Sequence, residues 1–187
     1  MRRTVLLTAL VTAGATCVGA SGSSVSSHDL SRVSNRGHVT AHVAPIMARV
    51  LRRVGAVGPV HTIAVRGSRR YYRVMRGNGA DCFGIGAATP KGDRFSLVCS
   101  TAFPSPERPI LDSSVFGADA GEPLHVVAVE GFAADGIATI GLENAAGVMV
   151  SRIPVMGNVY RLRGIPANAV RVVAFDATGK RLFAVPR

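Results

Sequence analysis

The chain has 187 residues, 48% of them hydrophobic, with no tryptophan and 22 Lys+Arg against 11 Asp+Glu, a formal charge of +11. That is apolar material for one ordinary domain or two small ones and argues against a wholly disordered chain. No G-x-S-x-G, H-E-x-x-H or P-loop motif is present, so the commonest signatures of hydrolases and nucleotide binders are missing.

Residues 1–20 read as an export signal. Arg2 and Arg3 form the charged start, Val5–Val18 the apolar run, and Val18-Gly19-Ala20 or Ala13-Gly14-Ala15 a small-residue cleavage site. The run is too short for a spanning helix, and no later stretch is long enough to be one. Two variants stay open: twin-arginine export, and a lipid on Cys17, for which Thr16 is a poor neighbour. Residues 21–41 are Ser-rich and read as a disordered linker.

Residues 42–103 read as a helix plus a four-strand meander. Val43, Ile46, Met47, Val50, Leu51 and Val54 fall on one helical stripe. Pro45 suits its first turn and Gly55 its end. Arg49, Arg52 and Arg53 lie off the stripe, near the end where the helix dipole favours cations. Val60–Met75 reads as a hairpin about Gly67-Ser68, with paired numbers summing to 135. One face then carries Ile63, Val65, Tyr72 and Val74 with His61 and Arg70. The other carries Arg66, Arg69, Tyr71 and Arg73, and is expected to face solvent.

Asp81–Ser100 reads as a second hairpin, closed by a disulfide. Thr89-Pro90-Lys91-Gly92 is turn chemistry, and a centre between Pro90 and Lys91 sets Cys82 opposite Cys99. Directly opposed residues sit about 4.5–5.5 Å apart, within disulfide reach. The same register places Gly84 under Leu97 and Gly86 under Phe95. A three-residue loop would send the cysteines to opposite faces, so the loop should be even. Such a ring is worth roughly 3 kcal/mol in the chain-entropy model. With Cys17 removed in the leader, two of the three cysteines remain, an even count suited to an oxidising compartment.

Residues 104–187 read as a β-sandwich-like region, which either shares a core with 42–103 or stands apart. Thr101–Gly121 looks loop-like because of Pro104, Pro106 and Pro109, and Leu124–Val129 reads as a strand. Ala138–Pro154 and Val170–Pro186 match without gaps at an offset of 32 residues. Each places an Asn or Asp before a turn and a Gly after it, so each reads as a hairpin of one design. Altogether the expected fold is mainly β: an antiparallel sandwich or meander of hairpins, with one N-terminal amphipathic helix and one disulfide.

The run Ala134-Asp135-Gly136-Ile137, then Gly147, then Val155…Asn158-Val159-Tyr160, then Val173…Asp176-Ala177-Thr178-Gly179 resembles the C-terminal portion of uncharacterised secreted proteins of actinobacteria. The resemblance covers about the last third of the chain. It implies an extracellular β-sandwich and brings no known activity and no catalytic residue.

Charge is the most informative functional feature. Residues 30–80 hold ten arginines and no acid. Arg66, Arg69, Tyr71 and Arg73, with Arg49, Arg52 and Arg53 if the helix lies alongside, are the candidate contacts to an anionic envelope polymer or lipid headgroups. Export makes intracellular nucleic acid an improbable partner. No cofactor, metal site or catalytic residue is assigned. His38 and His42 have metal-ligand spacing but border the polar stretch. Asp112, Asp119 and Glu122 match no calcium loop. The alternative is a secreted hydrolase built from His61 or His125 with Asp112 or Asp119 and Ser113 or Ser114.

Overall fold

A computed structural model describes residues 25–88, 92–117, 123 and 125–187. The leader, Cys17, the tip of the cysteine hairpin at 89–91, Asp119 and Glu122 lie outside them.

The fold is mainly β; the described residues form three antiparallel sheets and two helices, α1 (Ser27–Leu30) and α2 (Pro45–Arg53). The first sheet joins β1 (His38–Val39), β2 (Ala56–Arg66), β3 (Arg69–Arg76), β4 (Asp81–Ala87) and β5 (Arg94–Cys99) in sequence order. The second has β7 (His125–Ala133) between β10 (Val159–Arg163) and β6 (Ile110–Gly117). The third runs β12 (Arg181–Pro186), β11 (Ala169–Phe175), β8 (Thr139–Asn144), β9 (Met149–Pro154). From β6 onward the chain passes between the second and third sheets three times, a Greek-key sandwich. Among the described residues no helix is long and apolar enough to cross a membrane.

Three apolar clusters hold the layers together. Met47 and Leu51 of α2 pack on Val60, Tyr72, Val74 and Cys82 on one face of the first sheet. The other face presents Ile63, Tyr71, Phe83 and Ile85 to Leu111, Phe132 and Val159 of the second sheet. The far side of the second sheet, with Ile110, Val129 and Leu162, meets Ile140, Leu142 and Val172 of the third. The second sheet is thus covered on both faces, which is why β7 reads as a nearly continuous apolar run. The two β regions share a core.

The cysteine hairpin has the register its turn demands. Cys82 pairs with Cys99, Gly84 with Leu97 and Gly86 with Phe95, and Cys82–Cys99 is a disulfide. A Cβ on Gly84 would come within 2.8 Å of the Phe95 ring and 2.9 Å of Leu97. Small residues here make room for large ones opposite. The offset repeat is likewise two hairpins, β8–β9 and β11–β12, set side by side through β8 and β11. Asn144 Oδ1 accepts from the Val148 amide at 2.9 Å, and Asp176 Oδ1 from the Lys180 amide at 2.9 Å. Gly147 and Gly179, at φ 76° and 84°, close the two turns.

Three expectations need correction. First, residues 26–39 are not a loose linker. Ser26 and Asp29 form a capping box on α1, Val33 is 4% exposed, and β1 pairs with β2. Asp135 anchors this strap: its carboxylate accepts from Arg32 Nε at 2.9 Å, the Ser34 amide at 2.9 Å and Asn158 Nδ2 at 3.0 Å. A Cβ on Gly136 would lie 2.2 Å from Val25, so glycine leaves the strap its seat. Polar composition hid a segment whose hydrogen bonds reach distant residues. Second, Ile110–Gly117 is strand β6 rather than loop, the prolines all lying before it. Third, the β2–β3 pairing sums to 135 only from Arg66 to Ala64. A bulge then shifts it, so Thr62 faces Tyr72 and His61 faces Arg73. Ile63 thereby joins Tyr71 on the face that meets the second sheet.

Candidate functional site

The arginine-rich face of the β2–β3 hairpin turns inward. Tyr71 is 0% exposed, its ring edge-on to Phe132 with centroids 5.7 Å apart. Arg73 is half-buried, donates to the Val33 carbonyl at 2.7 Å and pairs with Asp81. Its guanidinium also sits 5.8 Å from the Phe83 ring centre. The expected solvent face is therefore the seam between the first two sheets. Both faces of the hairpin carry apolar residues, and α2 covers one while the sandwich covers the other. Arg49, Arg52 and Arg53 are exposed on α2, on the opposite side of the first sheet from Tyr71. The seven candidates do not form one surface.

What the seam assembles is a charged cluster around one carboxylate. Glu130 of β7 is 3% exposed. Cross-strand pairing sets Arg161 of β10 directly opposite it, with Nε 2.9 Å from Oε2. Arg69 reaches over from β3 to 3.5 Å, and the Tyr71 hydroxyl donates to Oε2 at 3.4 Å. Burial first, then Glu130, raises the Tyr71 pKa above the ordinary phenol value. Burial is also the main cause lowering Arg161 from its ordinary value, with Glu130 opposing it.

The cluster opens onto a cleft of about 350 Å³ between the β2–β3 turn and the outer edge of β10, lined by Arg66, Gly67, Met156, Tyr160, Arg161 and Arg163 among others. Among the described residues no Asp or Glu lines it. Arg66 is exposed and donates to the Met156 carbonyl at 2.9 Å, and Arg163 is exposed at the strand end. Arg69 and Arg161 thus share Glu130, while Arg66 and Arg163 line the cleft beside it. Tyr160 has a buried hydroxyl with no hydrogen-bond partner. Burial, then Asp112, then Tyr71 hold its pKa well above the ordinary phenol value, so it stays a neutral donor. The arrangement suits a phosphate or carboxylate, which arginine forks bind in paired hydrogen bonds.

Glu130, Arg161, Arg163 and Tyr160 were absent from the candidates taken from the sequence. The available signal was Glu130 itself: a single acid inside the apolar run Val126–Ala133 requires a cationic partner once buried. The hydrolase constellation is not assembled among the described residues. Among the described residues no hydrogen bond joins a histidine to an acid or a serine, and the His125 ring meets the Pro123 carbonyl at 3.2 Å. Nor do three His, Cys, Asp or Glu residues cluster as metal ligands among the described residues. The chain matches no protein-family model, no curated protein and no solved structure.

Proposed function

We propose that the protein is an exported, non-catalytic module of the cell envelope or extracellular space that binds an anionic envelope polymer through the seam cleft. One observation carries this reading: Arg66, Arg161 and Arg163 line a cleft that has no acid in its lining among the described residues, beside a buried Glu130 already held by Arg69 and Arg161. A net positive, partly desolvated concavity attracts phosphate or carboxylate more strongly than scattered surface charge. Export is supported by the composition of residues 1–20 and by the disulfide. The resemblance to secreted actinobacterial proteins agrees with it.

The test is retention of the full chain on immobilised polyphosphate and polygalacturonate, and on vesicles with anionic headgroups, at low and high salt. The double variant Arg66→Ala/Arg163→Ala should weaken polymer binding by about tenfold and reduce its salt dependence. Equal loss in an Arg49→Ala/Arg52→Ala/Arg53→Ala variant would move the contact to α2. Unchanged binding in the cleft variant would remove the reading.

A further inference from the structure

A second cleft, of about 450 Å³, lies on the opposite face of the first sheet, between the amino end of α2 and strands β3–β5. Its walls are apolar: Met47, Tyr72 and Phe95 line it, with Ile46 and Val65 toward solvent. Its charged lining is Arg70, Arg94 and His42 against Asp93. Both arginines are exposed and neither forms an ion pair among the described residues.

Two independent features at this cleft call for an acceptor. The first is the start of α2. Ala44 occupies the N-cap and supplies no side-chain oxygen, so the amides of Ile46 and Met47 lack the partner a Ser or Asp would provide. The second is Tyr72. It is 5% exposed, packs edge-on to Phe95 at 5.8 Å, and its hydroxyl makes no hydrogen bond among the described residues. At the wall of an apolar cavity that unpaired hydroxyl is a donor placed to meet an anionic oxygen.

We propose that this cleft binds a small organic acid with an apolar body. Its carboxylate lies among Arg70, Arg94 and the start of α2, and its chain or ring against Met47, Tyr72 and Phe95. The volume falls in the range of small-molecule sites, and the mix of apolar walls with few polar groups is theirs too. A bare inorganic anion would leave the apolar walls unused, and an uncharged alcohol would leave the arginines and helix amides unused.

Titration calorimetry on the full, disulfide-bonded chain tests this with octanoate, naphthoate, octanol and inorganic phosphate. Octanoate or naphthoate should bind at least about tenfold more tightly than octanol or phosphate, and whichever of the two acids is tighter identifies the chain or the ring as the natural body. Arg70→Gln and Arg94→Gln, both at exposed positions that leave the core intact, should each weaken the acid several-fold, and Tyr72→Phe should do so about threefold. Equal binding of octanol and octanoate, undetectable binding of both acids, or full affinity in the Arg70→Gln/Arg94→Gln double variant would each overturn the proposal. These outcomes are separate from polymer retention at the seam.

Discussion

Two buried carboxylates show how differently a single acid can be satisfied. Glu130 is held by three side chains from two strands, β3 and β10, of two sheets. Asp176 is satisfied locally, within its own turn: its Oδ1 accepts from the Thr178 hydroxyl at 2.6 Å, the Thr178 amide at 2.9 Å and the Lys180 amide at 2.9 Å. The Thr178 hydrogen bond is the main reason its pKa lies below the ordinary 3.8, the two amides adding to it. A carboxyl whose pKa is depressed on folding contributes stability that is complete above the unfolded value and fades as pH falls through the folded one. Unfolding by urea should therefore show stability falling as the pH drops below 3.8, and Asp176→Asn should flatten that decline while lowering stability at neutral pH. An unchanged acid limb in the variant would mean that other carboxylates govern it.

At the scale of elements, the strap of residues 26–39 joins layers that are otherwise far apart in sequence. Asn35 Nδ2 donates to the Ile63 carbonyl of β2 at 3.0 Å and to the Gly157 carbonyl at 3.0 Å, while Arg32 and Ser34 hold Asp135. Asp135→Ala removes an acceptor of several hydrogen bonds, two of them from side chains of the strap. It should raise amide exchange across 26–39, with the opening free energy there reduced by roughly 2 kcal/mol, while β8 and β11 keep their protection. Loss of protection throughout would instead make the strap part of the global folding unit. Asp135, Gly136 and Asn158 form this anchorage, with Asn158 at φ 63° reaching back to Asp135 and to the Ala133 carbonyl.

For the whole molecule, sheet-to-sheet packing decides what a reader of the sequence can see. Local chemistry was legible: the α2 stripe, the register of Cys82 with Cys99, and the twin Asx turns at Asn144 and Asp176 all follow from residues near each other in the chain. What the sequence obscured was the pairing of surfaces. Tyr71 alternates with Tyr72 on one strand, and nothing local says that both sides of that strand will be covered. The candidate site suffered accordingly, since Glu130 and Arg161 meet Arg69 only when the second sheet docks. Because Phe132 contacts both Tyr71 and Phe83, the layers should unfold as one cooperative unit. Phe132→Ala should cost about 3–5 kcal/mol and lower a single transition seen identically by near- and far-ultraviolet circular dichroism. Two separated transitions in the wild-type chain would show that the first sheet and the sandwich fold independently.

The central position of β7 bears on how this chain diverges. A strand pressed between neighbours on either side has no direction in which a substitution escapes notice, whereas exposed arginines on α2 drift at little cost. Distant kin would then be recognised by a lone glutamate set in an oily nonapeptide, long after their surface charge had changed beyond alignment.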